Sequence, residues 1–108
     1  MSKYSNKKTE VDGILFDSKA EAKRWTELKT LENLGAIEGL VRQKTYRLVK
    51  GKWNNGKAFS ISYRADFVYN LDGEVIVEDV KGYKTEAYEL KKKLMKAIYN
   101  IEIVEVRR

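Results

Sequence analysis

The sequence contains no cysteine and no histidine among its 108 residues. Without cysteine there is no disulfide, no thiolate nucleophile and no cysteine-ligated zinc site, and without histidine there is no imidazole base or ligand. The sequence therefore argues against zinc hydrolases and histidine-dependent catalytic triads. If the protein is an enzyme, it must use carboxylates, lysine, tyrosine or hydroxyl groups. Carboxylate sites favour hard cations such as Mg²⁺ or Mn²⁺.

Long hydrophobic runs are also missing. No apolar stretch approaches the roughly 20 residues that a membrane-spanning helix requires, and the start lacks the basic-then-apolar pattern of a secretory signal. Hydrophobic residues nevertheless make up 43% of the chain, more than a disordered chain carries. We therefore expect one folded cytoplasmic domain over residues 10–108, with no membrane contact. Residues 1–9 are polar and aperiodic and carry three lysines, which predicts a flexible basic arm.

Positive charge exceeds negative charge, with 22 Lys and Arg against 16 Asp and Glu and a net charge of +6. Such an excess suggests a polyanionic partner such as nucleic acid, although the same charge also serves solubility. A chain of this length buries only about two-thirds of its unfolded surface on folding, so a homodimer would help to stabilise the core. Candidate dimer edges are the first predicted helix and the last predicted strand.

The first predicted helix runs from Ser18 to about Leu34. Ser18 is a good N-cap, Glu21 completes a capping-box pattern three residues later, and Gly35 ends the helix. At 100° per residue, Glu21 lies on the apolar face near Trp25. A carboxylate on that face has to be capped, paired or bound to metal. From the sequence, the capping and metal-binding interpretations of Glu21 remain open side by side.

Three strands follow the first helix, at residues 40–50, 58–70 and 75–81, and a second helix and a last strand follow at 85–99 and 101–106. Alternation predicts one aromatic face on the second strand, beneath a helix, with Asp66 on the opposite face. That face consists of Phe59, Ile61, Tyr63, Ala65, Phe67 and Tyr69. In the second helix, the predicted buried stripe is Ala87, Leu90, Leu94 and Ile98, with Lys91 at its edge.

Two acids stand at equal distances from a predicted tight turn at Asp72-Gly73. If the flanking strands pair about this turn, Asp66 and Asp79 face each other across neighbouring strands about 4.8 Å apart. That separation allows two carboxylates to share one cation. Period-two alternation places Lys81 on the same face as Asp79, where the two could also form no more than a surface ion pair.

The motifs around these acids resemble those of a known nuclease superfamily. Tyr63-Arg64-Ala65-Asp66-Phe67 and Val77-Glu78-Asp79-Val80-Lys81-Gly82 resemble the Asp…(Asp/Glu)-x-Lys signature of the PD-(D/E)xK superfamily, with Ala65 in place of the nominal Pro. Ser18-Lys19-Ala20-Glu21 resembles the helical Glu of its Holliday-junction-resolving and transposon-end-cleaving branches. Nearly the whole chain is similar to a family of short, largely uncharacterised phage-encoded proteins assigned to this superfamily.

The resemblance implies a restriction-endonuclease-like α/β fold, with an αβββαβ core and a central mixed sheet flanked by helices. It further implies a Mg²⁺- or Mn²⁺-dependent DNA endonuclease that acts on branched or nicked phage DNA during recombination or packaging, in the host cytoplasm. The implied catalytic residues are Glu21, Asp66, Asp79 and Lys81. Asp66, Asp79, Glu21 and the Val80 carbonyl are the implied metal ligands, and Gln43 is implied to support the site.

Other interpretations remain open beside the nuclease. The chain could be a non-catalytic nucleic-acid-binding module or a purely structural partner protein. Trp53, in the turn-rich loop 50–57, is a candidate either for base stacking or for packing back on the sheet. Glu78 is expected to be solvated or paired rather than a ligand. The candidates for DNA contact are Lys7, Lys8, Arg42, Arg64, Lys84, Lys91 and Lys92.

Overall fold

The structure is a computed structural model, which describes residues 8–107. A short hairpin precedes the predicted order of helix, three strands, helix and strand, and this order is confirmed. The elements are β1 (Thr9–Val11), β2 (Ile14–Phe16), α1 (Lys19–Asn33), β3 (Glu38–Lys52), β4 (Ala58–Leu71), β5 (Glu74–Val80), α2 (Glu86–Tyr99) and β6 (Val104–Val106).

The main sheet has the strand order β3-β4-β5-β6. The first two pairs of neighbours are antiparallel and the last pair, β5 with β6, is parallel. Such a mixed sheet needs a crossover between its parallel strands, and α2 provides it. The predicted α/β class, with a mixed sheet flanked by two helices, is confirmed. Neither of the helices in the described part of the chain is long and apolar enough to cross a membrane.

The core consists of two hydrophobic clusters, one with each helix. Trp25 and Leu28 of α1 pack with Phe67 of β4 in the first cluster. Met95 of α2 packs with Tyr63 of β4 in the second. The central strands therefore contribute side chains to both clusters, as expected for a sheet covered on both sides.

Both helices begin where the sequence predicts. The Ser18 hydroxyl accepts a hydrogen bond from the Glu21 N–H at 3.1 Å, and the Thr85 hydroxyl caps α2 in the same way. The chain leaves α1 through Gly35, whose φ of +81° lies in the left-handed region that favours glycine. The cap at Ser18 fixes the start of α1 and therefore the direction in which Glu21 projects.

The prediction of one continuous aromatic face on β4 is wrong. Tyr63 and Ala65 pack in the cluster of α2, whereas Phe67 and Tyr69 pack in the cluster of α1. Strict alternation would keep these four residues on one side of the sheet. The change of side occurs around Asp66, where the pairing of β4 with its neighbours is interrupted.

The predicted buried stripe of α2 is confirmed only at Leu94, which packs against the second cluster, whereas Ala87 is exposed. Met95 is the buried residue of this helix, whereas Leu90 and Ile98 are about half exposed, at 50% and 47%. Two tyrosines of the helix make specific contacts: Tyr88 packs against the second cluster, and Tyr99, which is 40% exposed, contacts a different neighbour. Tyr99 packs edge-on against Tyr46, and the Tyr88 hydroxyl donates to Glu105. A stripe defined by aliphatic residues alone missed these amphipathic rings, whose hydroxyl groups are hydrogen-bonded.

Candidate active site

Asp66 and Asp79 lie at the point where the β4–β5 pairing ends. The ladder runs from the Asp72-Gly73 turn to the pair Phe67 and Glu78, so the next positions are Asp66 and Asp79. Beyond the ladder, the Val80 N–H donates to Asp66 Oδ2 at 2.7 Å. The Asp66 side chain therefore accepts a hydrogen bond that, in a continuing ladder, a backbone carbonyl of β4 would accept.

The neighbouring backbone departs from regular strand geometry on both sides of these acids. Gln43 of β3 lies opposite Asp66, does not pair with it, and has a φ of +56°. Lys81, two residues after Asp79, has a φ of +75°. Residues other than glycine rarely adopt such angles, and they persist where the surrounding structure enforces them, often at functional sites. The backbone around the two acids is therefore strained.

Glu21 extends from the first turn of α1 to Asp66. The two carboxyl groups are within hydrogen-bonding contact of each other. Burial raises the pKa of Glu21, and the nearby Asp17 raises it further. Burial also raises the pKa of Asp66 to about 7; the Val80 hydrogen bond acts in the opposite direction, and repulsion from Glu21 and Asp79 adds to the rise. The raised pKa of Asp66 favours its protonated form near neutral pH, and the contact with Glu21 places that proton between the two carboxyl groups.

Asp79 is held by neutral donors. The Tyr63 hydroxyl donates to Asp79 Oδ2 at 2.8 Å, and the Gly82 N–H donates to Oδ1 at 3.1 Å. Burial raises the pKa of Asp79 despite these hydrogen bonds. Tyr63 was predicted only as a core residue, and its contact with Asp79 depends on the change of side in β4, for which the sequence carries no signal.

A cleft of about 360 Å³ opens between the beginnings of α1 and α2, over β3 and β4. Five of the predicted site residues line it: Glu21, Asp66, Gln43, Arg64 and Lys91. Lys91, predicted at the edge of the buried stripe of α2, is one of these lining residues. The cleft is also lined by residues that sequence reasoning missed, namely Asp17, Tyr63, Thr85, Ala87 and Tyr88. Acidic and basic side chains therefore meet in one polar depression.

Asp79, Val80 and Lys81 lie outside this lining set. The backbone at Lys81 is left-handed, with a φ of +75°, so the regular alternation on which its placement beside Asp79 depends ends at this residue, and that placement stays a prediction. Within residues 8–107, the Lys81 ammonium group forms no ion pair. The Val80 side chain is buried in the cluster of α1.

Arg42 lies close to the acids without forming an ion pair with them. Its guanidinium group lies over the Phe16 ring, 5.0 Å from the ring centre. Its charge favours the ionised form of Glu21. Arg42 Nε is buried and has no hydrogen-bond partner. Arg42 is thus a cation near the cleft whose Nε–H is free to donate a hydrogen bond.

The other predicted DNA-contacting lysines differ in their surroundings. The Lys84 and Lys92 ammonium groups lie 3.5 Å and 3.2 Å from the Glu105 carboxylate, so both are engaged within the protein. Lys8 lies 3.8 Å from Asp17, in an exposed pair. The prediction for Lys7 lies outside the described residues. Arg64 and Lys91 are therefore the predicted cations that line the cleft itself.

Glu78 faces away from this site, as predicted. Its carboxylate is buried and receives two hydrogen bonds from the Arg24 guanidinium, at 2.8 Å and 2.6 Å. The Tyr69 hydroxyl donates to the same carboxylate. The expectation that Glu78 is paired rather than a ligand agrees with this geometry.

The acidic group has the donor chemistry of a site for a hard cation. As the side chains stand, no three acidic residues within 8–107 are spaced to surround one metal ion. Glu21, Asp66 and Asp79 nevertheless offer only oxygen atoms, which Mg²⁺ and Mn²⁺ prefer. The carboxylate oxygens of Asp66 and Asp79 keep lone pairs that these hydrogen bonds do not use. The hydrogen bonds also orient the carboxylates, as the residues around metal ligands do in known metal sites.

Comparison with known proteins leads to a family and not to an activity. A search of curated proteins gave no match. A protein-family model matches residues 1–106, and its description is "Protein of unknown function (DUF1064)". That description says nothing about the PD-(D/E)xK superfamily, so the nuclease resemblance stays a prediction. Because the match spans nearly the whole sequence, the chain belongs to the DUF1064 family.

Proposed function

We propose that the protein is a metal-dependent DNA endonuclease that hydrolyses phosphodiester bonds. The observation that carries the proposal is the convergence of Glu21, Asp66 and Asp79 from three separate elements, all with raised pKa values. Buried acids crowded together destabilise a fold unless something compensates them, and perturbed acids in a cleft are typical of catalytic centres. A bound divalent cation would relieve the repulsion among them.

Asp66, Asp79 and the Val80 carbonyl are the proposed ligands of Mg²⁺ or Mn²⁺, and Glu21 completes the set directly or through water. When bound, such an ion supplies an acidic water for in-line attack and stabilises the charge that develops on the phosphate. The shared proton between Glu21 and Asp66 has to leave before both carboxylates can act as ligands.

The basic residues around the acids act on the substrate. Arg64 and Lys91 line the cleft and are placed to bind the phosphates next to the cleaved bond. Lys81 is proposed to orient the attacking water or to stabilise the transition-state charge. Gln43 lines the cleft and positions the site from β3. No step requires the histidine that the sequence lacks.

Cleavage of a panel of DNAs tests the proposal. Plasmid, single-stranded DNA and a four-way junction are incubated with Mg²⁺, Mn²⁺ or a chelator. We expect cleavage only with metal, loss of cleavage in Asp79→Asn, and full activity in the matched control Asp72→Asn, which changes an exposed acid in the β4–β5 turn. Metal-dependent cleavage that persists in purified Asp79→Asn would reject the assignment.

The panel also tests the finer form of the proposal. We propose branched or nicked phage DNA in the host cytoplasm as the substrate, in the manner of a junction resolvase. Faster cleavage of the four-way junction than of the plasmid supports this form. Junction resolution is usually symmetrical and uses a homodimer, so the mass of the protein on the junction should correspond to two copies.

The second candidate function is a non-catalytic nucleic-acid-binding module. It is favoured by the absence, within residues 8–107, of three acids already at metal-binding spacing. This module would bind DNA without cutting it, and a Mn²⁺ titration in the presence of DNA would give no heat of binding. DNA binding without cleavage and without metal binding would therefore select it over the nuclease.

A further inference from the structure

Strands β3 and β4 continue well beyond the rest of the sheet. β5 pairs with β4 only from Phe67 to Leu71, whereas β3 and β4 remain paired as far as Lys52 and Ala58. Residues 52–60 at the far end are all exposed. We call residues 47–62 the basic ribbon. It is a two-stranded projection whose end lies outside both hydrophobic clusters.

The strands that form this projection carry the excess charge of the protein. Between Gly39 and Ala65 there are seven Lys or Arg residues and no Asp or Glu, while the net charge of the whole chain is +6. The remainder of the chain is therefore close to neutral. The cations on this segment are Arg42, Lys44, Arg47, Lys50, Lys52, Lys57 and Arg64.

The cations of the ribbon are available to a partner. Arg47, Lys50 and Lys52 line a groove of about 520 Å³ together with Ala58 and Ser60, whose small side chains leave room between the basic ones. Within the described residues, none of the basic ribbon's cations forms an ion pair with an acid. Lys84 and Lys92 of the main body, by contrast, are bound to Glu105.

The end of the ribbon presents an aromatic pair. The Trp53 and Phe59 rings lie 5.1 Å apart, and Trp53 is 63% exposed. The Phe59 ring covers the Gly51 backbone so closely that a Cβ at Gly51 would lie 2.6 Å from it. The turn is closed by hydrogen bonds between Trp53 and Lys57, and between Gly56 and Trp53. Trp53 is therefore held on an ordered support and not packed into the core.

We propose that the basic ribbon is a second DNA-binding surface, separate from the acidic cleft. Arg47, Lys50 and Lys52 contact the phosphates of a duplex, and Trp53 stacks on a base that is unstacked at a nick, branch or end. A two-stranded β-ribbon fits the major groove, and exposed aromatic rings stack on any unpaired base. The inference rests on the proposed function only in taking DNA as the polyanion.

Charge reversal tests the phosphate contacts. Lys50→Glu/Lys52→Glu is compared with Lys93→Glu/Lys96→Glu, which changes two exposed lysines of α2. Binding to a labelled duplex is measured in a chelator by fluorescence anisotropy over a series of salt concentrations. The ribbon variant should bind at least about tenfold more weakly, and its salt slope should fall by about 2, one for each lost phosphate contact. Equal losses in both variants would overturn the proposal.

Substitution of Trp53 tests the stacking contact. The wild type should prefer a nicked duplex over an intact one, Trp53→Ala should reduce that preference by about fivefold or more, and Trp53→Phe should retain most of it. Affinity for the intact duplex should stay nearly unchanged in both variants. An undiminished preference in Trp53→Ala would exclude a stacking role.

The two proposals fail separately. The ribbon assay is run in a chelator and needs neither metal nor cleavage, so it measures DNA binding apart from catalysis. If the wild type binds DNA through the ribbon but does not cut it, the ribbon proposal stands and the nuclease is rejected. If the wild type fails to bind DNA, or binds only anionic lipid vesicles, the ribbon proposal is wrong, whereas Mn²⁺ binding by the acids remains open to its own test.

Discussion

Glu78 and Asp79 are adjacent in sequence, lie on opposite faces of β5, and have very different environments. Glu78 is 1% exposed and is neutralised by two hydrogen bonds from the Arg24 guanidinium. Asp79 and its neighbour Asp66 are held by backbone N–H groups and a tyrosine hydroxyl. In the described part of the chain, no lysine or arginine pairs with either of them.

The difference distinguishes Glu78, which has a structural role, from Asp66 and Asp79, which have no permanent countercharge among the described residues and can bind a cation from solution. A buried charge needs a countercharge, and at Glu78 the protein supplies a permanent one. On the other face the hydrogen bonds to Asp66 and Asp79 come from neutral donors, and burial raises the pKa of Asp66 so that its protonated form is favoured near neutral pH. A cation from solution can replace that proton. The comparison therefore predicts opposite consequences for substitutions on the two faces.

The largest expected effect is on cleavage. Asp66→Asn keeps the size of the side chain and an acceptor for the Val80 N–H, but it removes the charge that would hold the metal. We expect cleavage to fall by at least about 10²-fold, with the urea midpoint unchanged or raised. Rates are measured on the most rapidly cut DNA of the panel. Cleavage by Asp66→Asn at the wild-type rate would contradict the catalytic role of the acids on this face of β5.

Loss of the permanent countercharge should affect folding. Arg24→Leu leaves the Glu78 carboxylate buried without its partner, and we expect the free energy of unfolding to fall by about 3 kcal/mol. Urea denaturation measures this loss. The double variant Arg24→Leu/Glu78→Leu is the control, and it should recover most of the stability because no unpaired charge remains. A stable Arg24→Leu single variant would contradict the structural role of this pair.

The pH dependence of stability should reveal the shared proton. The pKa of Asp66 is raised to about 7 from its ordinary value of 3.8, so the folded state binds more protons than the unfolded state between those values. Stability should therefore fall as pH rises from about 4 to about 7, by at most about 1.4 kcal/mol per pH unit. Urea denaturation at several pH values should show this slope in the wild type and a smaller one in Asp66→Asn. Equal slopes would show that Asp66 is not the titrating group.

The smallest expected effect concerns the strained backbone beside the acids. Gln43 has a positive φ, and glycine adopts such angles without the steric penalty that other residues incur. Gln43→Gly should therefore raise the free energy of unfolding by up to about 1 kcal/mol. It should also reduce cleavage, because the cleft loses a polar side chain. Thermal denaturation and the cleavage assay measure the two effects, and a loss of stability would show that strain at Gln43 is unimportant.

Local and periodic signals predict much of this molecule. The cap at Ser18, the glycine after α1 and the Asp72-Gly73 turn each correspond to a feature of the structure. The turn alone brings Asp66 and Asp79 to neighbouring positions, because antiparallel register is determined by distance from the turn. The helical periodicity of the apolar residues in α1 likewise predicts that Glu21 faces the sheet.

Features that depend on distant contacts could not be predicted in this way. The pairing of Arg24 with Glu78 joins residues 54 positions apart, and no local pattern indicates it. The change of side at Asp66 and the left-handed backbone at Lys81 break the alternation on which strand predictions depend. In α2, the Tyr88 and Tyr99 hydroxyl groups donate hydrogen bonds to Glu105 and to the Arg47 carbonyl, which are distant in sequence. The change of side at Asp66 and the left-handed backbone at Lys81 lie beside the acidic cluster, where local rules are most often overridden.

Calorimetric titration with Mn²⁺ tests the central claim most directly. At pH 7 in two buffers of different ionisation enthalpy, the wild type should bind Mn²⁺ saturably and release roughly one proton, because the proton shared by Glu21 and Asp66 has to leave. Asp66→Asn should bind far more weakly and release fewer protons. No heat of binding in the wild type, or binding that is unchanged in Asp66→Asn, would contradict a cation site built from these acids.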